Sequence, residues 1–140
     1  MGNSRSAGTT RTTPPLNFRL TLALTGLAVI ATGLAVNAVV TGVTGDLLGG
    51  ALYAVLVCLA VAFMAPRRHP IMIGAVGFML CALVELFQLT GIPSAIADVF
   101  AQAALVLGTT FVPLDFAAYL VGAGCAAAGL ALSRASRTAN

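Results

Sequence analysis

Four apolar runs, at 18–40, 46–65, 71–90 and 113–132, decide which solvent this chain can fold in. Each is about twenty residues long. A helix rising roughly 1.5 Å per residue needs about that length to cross roughly 30 Å of hydrocarbon. Lipid offers no partner for a backbone N–H or C=O, so continuous apolar runs of this length are expected to span as helices. Composition agrees: 59% of the 140 residues are hydrophobic and only 8% are charged, against roughly 25% charged in a soluble domain. The expected fold class is an all-α integral membrane protein, a bundle of four transmembrane helices.

The first run has a rival reading as a secretory signal peptide. Arg19 could close its basic region, and Val36-Asn37-Ala38 offers a small-residue cleavage site. The uncleaved span is favoured, because the run is long for a signal and continues through Val39 and Val40.

The connections set the topology. All seven basic side chains are arginines. Arg5, Arg11 and Arg19 precede or open the first span, Arg67 and Arg68 join the second to the third, and Arg134 and Arg137 follow the fourth. The two remaining connections hold none. The positive-inside rule then puts both termini in the cytoplasm. The Ala-, Gly- and Arg-rich composition fits a GC-rich bacterium, so the expected location is a bacterial inner cell membrane. Residues 1–15 read as a disordered cytoplasmic tail, 16–132 as one four-helix domain and 133–140 as a second cytoplasmic tail. Met1-Gly2 with Ser6 fits a myristoylation pattern, which operates only in a eukaryotic cytosol. The net charge of +3 reports membrane orientation and not nucleic-acid binding.

Cys58, Cys81 and Cys125 all fall in apolar segments, are odd in number and match no metal spacing, so they read as small packing residues. His69, the single histidine, sits beside two arginines between Pro66 and Pro70 and reads as a solvated loop residue. No metal or cofactor site is expected.

The second outer connection, 91–112, is amphipathic. Ser94 can cap a short helix with Ile96, Val99, Phe100, Ala103, Val106 and Leu107 on one side, and Asp98 and Gln102 on the other. Such a helix reaches only about 20 Å, which fits an interfacial or re-entrant segment. A fifth span over 95–114 would carry Arg134 and Arg137 outside and is rejected.

This topology gathers the acids. Asp46 opens the second span, Asp98 lies in the loop, Asp115 heads the fourth span, and Glu85 lies one turn before Gln88 near the outer end of the third. Asp46 and Asp115 suit the positive end of a helix dipole, which would be their bland role. Glu85 gains nothing from capping, and an ionisable group in hydrocarbon is a functional-site hypothesis by default. Its bland role would be a neutral carboxyl tying helices together. Small residues surround these positions. Gly49, Gly50 and Tyr53 share Asp46's face, Gly74 and Gly77 lie below Glu85, and Asp115, Ala118, Gly122, Ala126 and Gly129 form a stripe. Such seams let helix backbones approach closely and also permit homo-oligomers.

Gly45-Asp46, Glu85-Leu-Phe-Gln-Leu89, Leu105-Val-Leu-Gly-Thr-Thr-Phe111 and Asp115-Phe-Ala-Ala-Tyr119-Leu-Val-Gly122 occur in an order and spacing that resembles a bacterial family of small membrane proteins, domain of unknown function 2809. That family is similar in turn to VanZ-like proteins, some of which are linked to glycopeptide tolerance and the cell envelope. The resemblance covers about 45–124. It implies a multi-pass bacterial membrane protein whose family positions are Asp46, Glu85, Gln88, Gly108, Asp115, Tyr119 and Gly122. The family pattern often carries an Arg before the Leu-Val-Leu-Gly segment; here Ala101-Gln102-Ala103-Ala104 stands instead.

Three functions fit these residues. The favoured one is a non-enzymatic protein that binds a membrane lipid or lipid-linked envelope precursor at the outer leaflet, through Asp46, Tyr53, Glu85, Gln88, Gly108, Asp115 and Tyr119. A second is an interfacial enzyme with Glu85 and Asp115 as its acid-base pair, although no Ser/His, Cys/His or metal set accompanies them. A third is a proton-coupled carrier using Glu85.

Overall fold

The computed structural model describes residues 16–108 and 110–138, and within them every side chain but those of Leu16, Leu105, Arg137 and Thr138. The expected N-terminal tail, with Arg5, Arg11 and the Gly2/Ser6 pattern, lies outside the described residues. The elements are α1 (Leu16–Val39), α2 (Val43–Met64), α3 (Pro70–Gln88), α4 (Ile92–Val99), α5 (Ala103–Leu107) and α6 (Asp115–Thr138), with no strand among the described residues. Four of the helices, α1, α2, α3 and α6, are long and apolar enough to cross a membrane. The fold class is therefore as expected.

Short connections make α1, α2 and α3 successively antiparallel, and the longer α4–α5 excursion returns the chain for α6. α2, α3 and α6 pack on one another, whereas among the described helices α1 packs on α2 alone. Small residues allow the close approaches. A Cβ on Gly77 would overlap the Sγ of Cys58, and one on Gly122 would overlap the backbone of Ala51. A Cβ on Gly50 would lie 3.2 Å from that of Ala118. Residues 50 and 54 of α2 thus face 118 and 122 of α6, a small-residue seam at four-residue spacing. This pairing runs α2 and α6 parallel, with α3 antiparallel to both.

The expected seam is present but narrower than the sequence suggested. Gly49 and Gly129 meet nothing within 4 Å, because each lies one step off the contact line. Cys58 and Cys81 are buried packing residues, whereas Cys125 is exposed on the outer surface of α6.

Three boundaries differ from expectation. The amphipathic loop helix is split into α4 and α5 by an extended residue, Phe100 (φ −129°, ψ 90°). Ser94 Oγ donates back to Gly91 O (2.7 Å) in place of capping. α6 starts at Asp115, two residues after Pro113, and runs beyond 132 to Thr138. Its extension includes the good helix formers Arg134, Ala135 and Arg137 and is pinned by Arg134, whose guanidinium donates to Arg68 O (2.7 Å) and Pro66 O (3.0 Å). His69 is exposed as expected and also accepts from Ile71 N through Nδ1 (3.4 Å), ahead of Pro70 in the first turn of α3.

The bundle is polarised. Arg19, Arg67, Arg68 and Arg134 lie at the end formed by the start of α1, the end of α2, the start of α3 and the end of α6. The opposite end gathers the starts of α2 and α6, the end of α3, and α4–α5.

Candidate functional site

Glu85 projects from the last turns of α3 into the space between α6 and the segment that precedes it. It is 0% exposed, the one charged side chain among the described residues that is fully buried. One carboxyl oxygen accepts from the backbone N–H of Val112. The other accepts from Tyr119 Oη at 2.9 Å. Burying a carboxyl without partners is costly, and these two donors offset that cost. They also fasten α3 to α6 and to the chain entering α6.

One turn on, Gln88 reaches the other way. Its Nε2 donates to Leu107 O at 2.7 Å, holding the end of α5 against α3. Gly108 follows with φ +64°, and a Cβ there would overlap the Gln88 amide. Both constraints select glycine: the left-handed backbone and the lack of space. Gly91, with φ +71°, opens the same excursion. The α4–α5 segment is therefore bracketed by two glycines in the left-handed region.

Two acceptors remain unmatched. Gln88 Oε1 and Asp115 Oδ1 are buried and have no hydrogen-bond partner among the described residues. Asp115 stands in the first turn of α6, within electrostatic range of Glu85 and Asp46. Buried polar atoms are usually paired, and an orphan calls for a reason.

Aromatic rings wall the cluster. Tyr119 lies 6.4 Å from Tyr53 and 6.4 Å from Phe116, which in turn meets Phe111 edge-on at 6.2 Å. The edge-to-face and tilted geometries are those that aromatic quadrupoles favour. Tyr119 Oη is the polar tip of this group and is spent on Glu85.

Among the residues singled out from sequence, Glu85, Tyr119 and Asp115 converge, with Tyr53 stacked against Tyr119. Gln88 and Gly108 meet each other beside them. Asp46 is exposed in the first turn of α2, with no side-chain capping bond. Asp98 is exposed on α4 and makes no hydrogen bond to the cluster. Four contributors were not singled out: the N–H of Val112, the carbonyl of Leu107, and the rings of Phe111 and Phe116. The two rings carried a signal, since each sits within or beside a motif. The two backbone groups carried none, because any residue could supply them.

These features define a small α-helical membrane protein, four spans with a buried carboxyl–tyrosine–amide cluster at one end. The chain belongs to the family described as protein of unknown function DUF2809, whose model matches residues 39–123. The match begins at the end of α1 and runs into α6, so it takes in every cluster residue. No curated protein matches the chain, and no solved structure matches it.

Proposed function

We propose that the cluster binds a hydrogen-bond-donating headgroup, a hydroxyl or ammonium of a membrane lipid or lipid-linked envelope precursor, at the outer leaflet of a bacterial inner membrane. The observation that carries this reading is the pair of buried, unpartnered acceptors, Gln88 Oε1 and Asp115 Oδ1. The described arginines all lie at the other end of the bundle, so no described cation answers these oxygens. Spare acceptors select a ligand that brings donors and disfavour one whose recognised part is a bare phosphate. The positive-inside rule supports the outward orientation, with both termini cytoplasmic. An envelope connection and the kinship to VanZ-like proteins belong to the same reading and rest on motif resemblance.

The acid-base alternative is less well supported. Both oxygens of Glu85 are already engaged by Val112 N and Tyr119 Oη, which suits a tie between helices better than a proton shuttle. The carrier reading also asks Glu85 to exchange protons, and the same two engaged oxygens speak against it.

Lipidomics of the purified protein tests the proposal. Wild-type protein is expected to retain a hydroxyl- or amine-bearing lipid that Asp115→Leu loses by about tenfold, since a hydrogen bond to a charged group contributes roughly 1.5–3 kcal/mol. Asp98→Leu, on the exposed acid outside the cluster, is expected to retain it. Identical lipid profiles for all three proteins would exclude the proposal.

A further inference from the structure

The basic end of the molecule holds a second feature, which the cluster does not use. α1 meets α2 along one line only, and beside that line the two helices leave a groove of about 410 Å³, within the range of ligand clefts. Its lining mixes small residues, Ala23, Gly26 and Ala60, with larger ones such as Leu27, Leu56 and Phe63. On α1 the lining runs from Leu22 to Ile30, and on α2 from Leu56 to Met64. Eight residues of rise give a length of roughly 12 Å, most of the roughly 15 Å hydrocarbon depth of a single leaflet.

The mouth of this groove is charged. Arg19 lies one turn before Leu22, and its guanidinium sits 5.3 Å from the ring centroid of Phe63, a lining residue. Arg19, Arg67 and Arg68 are all exposed at this end. The four acids of the chain, Asp46, Glu85, Asp98 and Asp115, are all at the other end. Nothing in the described chain therefore neutralises these cations. An apolar channel one leaflet deep, opening beneath uncompensated guanidinium groups, matches an acyl chain attached to a phosphate.

We infer that the α1–α2 groove is a binding site for one anionic phospholipid of the leaflet at the arginine end, with an acyl chain in the groove and its phosphate on Arg19. Among the described helices α1 packs on α2 alone, so the bound lipid acts as packing material between them. This site is separate from the acidic cluster and does not rest on the role proposed for it.

The test is native mass spectrometry of the full-length protein, delipidated and then titrated with phosphatidylglycerol or phosphatidylcholine in mixed micelles. One phosphatidylglycerol per chain is expected to survive desolvation, and phosphatidylcholine is not. Arg19→Gln should weaken retention about fivefold, the typical effect of one arginine at an anionic surface. Ala60→Phe, which fills the groove, should abolish it, whereas Leu83→Phe on the exposed face of α3 should not. Ala23→Leu serves as the filling variant should Ala60→Phe fail to fold. Inorganic phosphate is expected not to compete. The inference is overturned by equal retention of the two lipids, by retention unchanged in Arg19→Gln and the groove-filling variant, or by full displacement with phosphate.

Discussion

Glu85 is held by two donors of different kinds, and this predicts an asymmetric response to substitution. In Glu85→Gln the amide oxygen can still accept from Val112 N–H, while its NH2 can donate to Tyr119 Oη, which accepts as well as donates. The expected loss of stability is below about 1 kcal/mol, read as a small shift in detergent melting temperature. Glu85→Leu leaves the Val112 N–H without a partner and is expected to cost about 1–3 kcal/mol. Equal melting temperatures for the two variants would show that neither bond contributes. Gly108→Ala is expected to cost more than about 1 kcal/mol, because it combines a left-handed backbone with the Gln88 overlap. How much of this the sequence exposes depends on the residue. The price of a carboxyl in hydrocarbon singles out Glu85 directly. Which oxygens stay unmatched does not follow from sequence, since it turns on a backbone N–H at 112 and on where the Tyr119 ring points.

Among the helices, the parallel α2–α6 seam is the tightest contact and yields a graded prediction. Gly122→Val places side-chain atoms into the backbone of Ala51. It is expected to prevent accumulation of folded protein in the membrane, measured by size-exclusion profile in detergent. Gly49→Ala meets nothing and is expected to be neutral or to stabilise by roughly 0.5–1 kcal/mol through helix propensity. Sequence spacing marked both positions as small and could not rank them, because the choice depends on which side of α2 receives α6. The same limit explains the loop. Apolar periodicity over 92–107 suggests one helix, yet α4 and α5 are separated at Phe100. Residues 100–102 contain nothing that forbids a helix. The latch from Gln88 to Leu107 holds α5 against α3, a tertiary demand absent from local propensity.

For the molecule as a whole, the number of spans and their order were legible because hydrocarbon thickness imposes a length that few other constraints share. The gathering of all four acids at one end followed from the order of the spans; that Glu85 and Asp115 meet there while Asp46 and Asp98 stay exposed did not. The proposed orientation makes its own prediction: in intact cells, Ala101→Cys is expected to react with a membrane-impermeant thiol reagent and Arg67→Cys is not. The reverse pattern would invert the bundle and move the acidic cluster to the cytoplasmic leaflet. Cys125 faces outward from α6 and is best replaced by Ala in both reporters.

The parallel course of α2 and α6 has one more consequence. Two helix beginnings meet at the acidic end, each presenting unpaired N–H groups equivalent to roughly half a positive charge. Together they amount to roughly one cation's worth of field beside Asp46 and Asp115. The neighbouring loop segment Ala101-Gln102-Ala103-Ala104 holds no cationic side chain. Here the peptide backbone itself supplies a countercharge, one that cannot be deprotonated and cannot swing away on a flexible side chain.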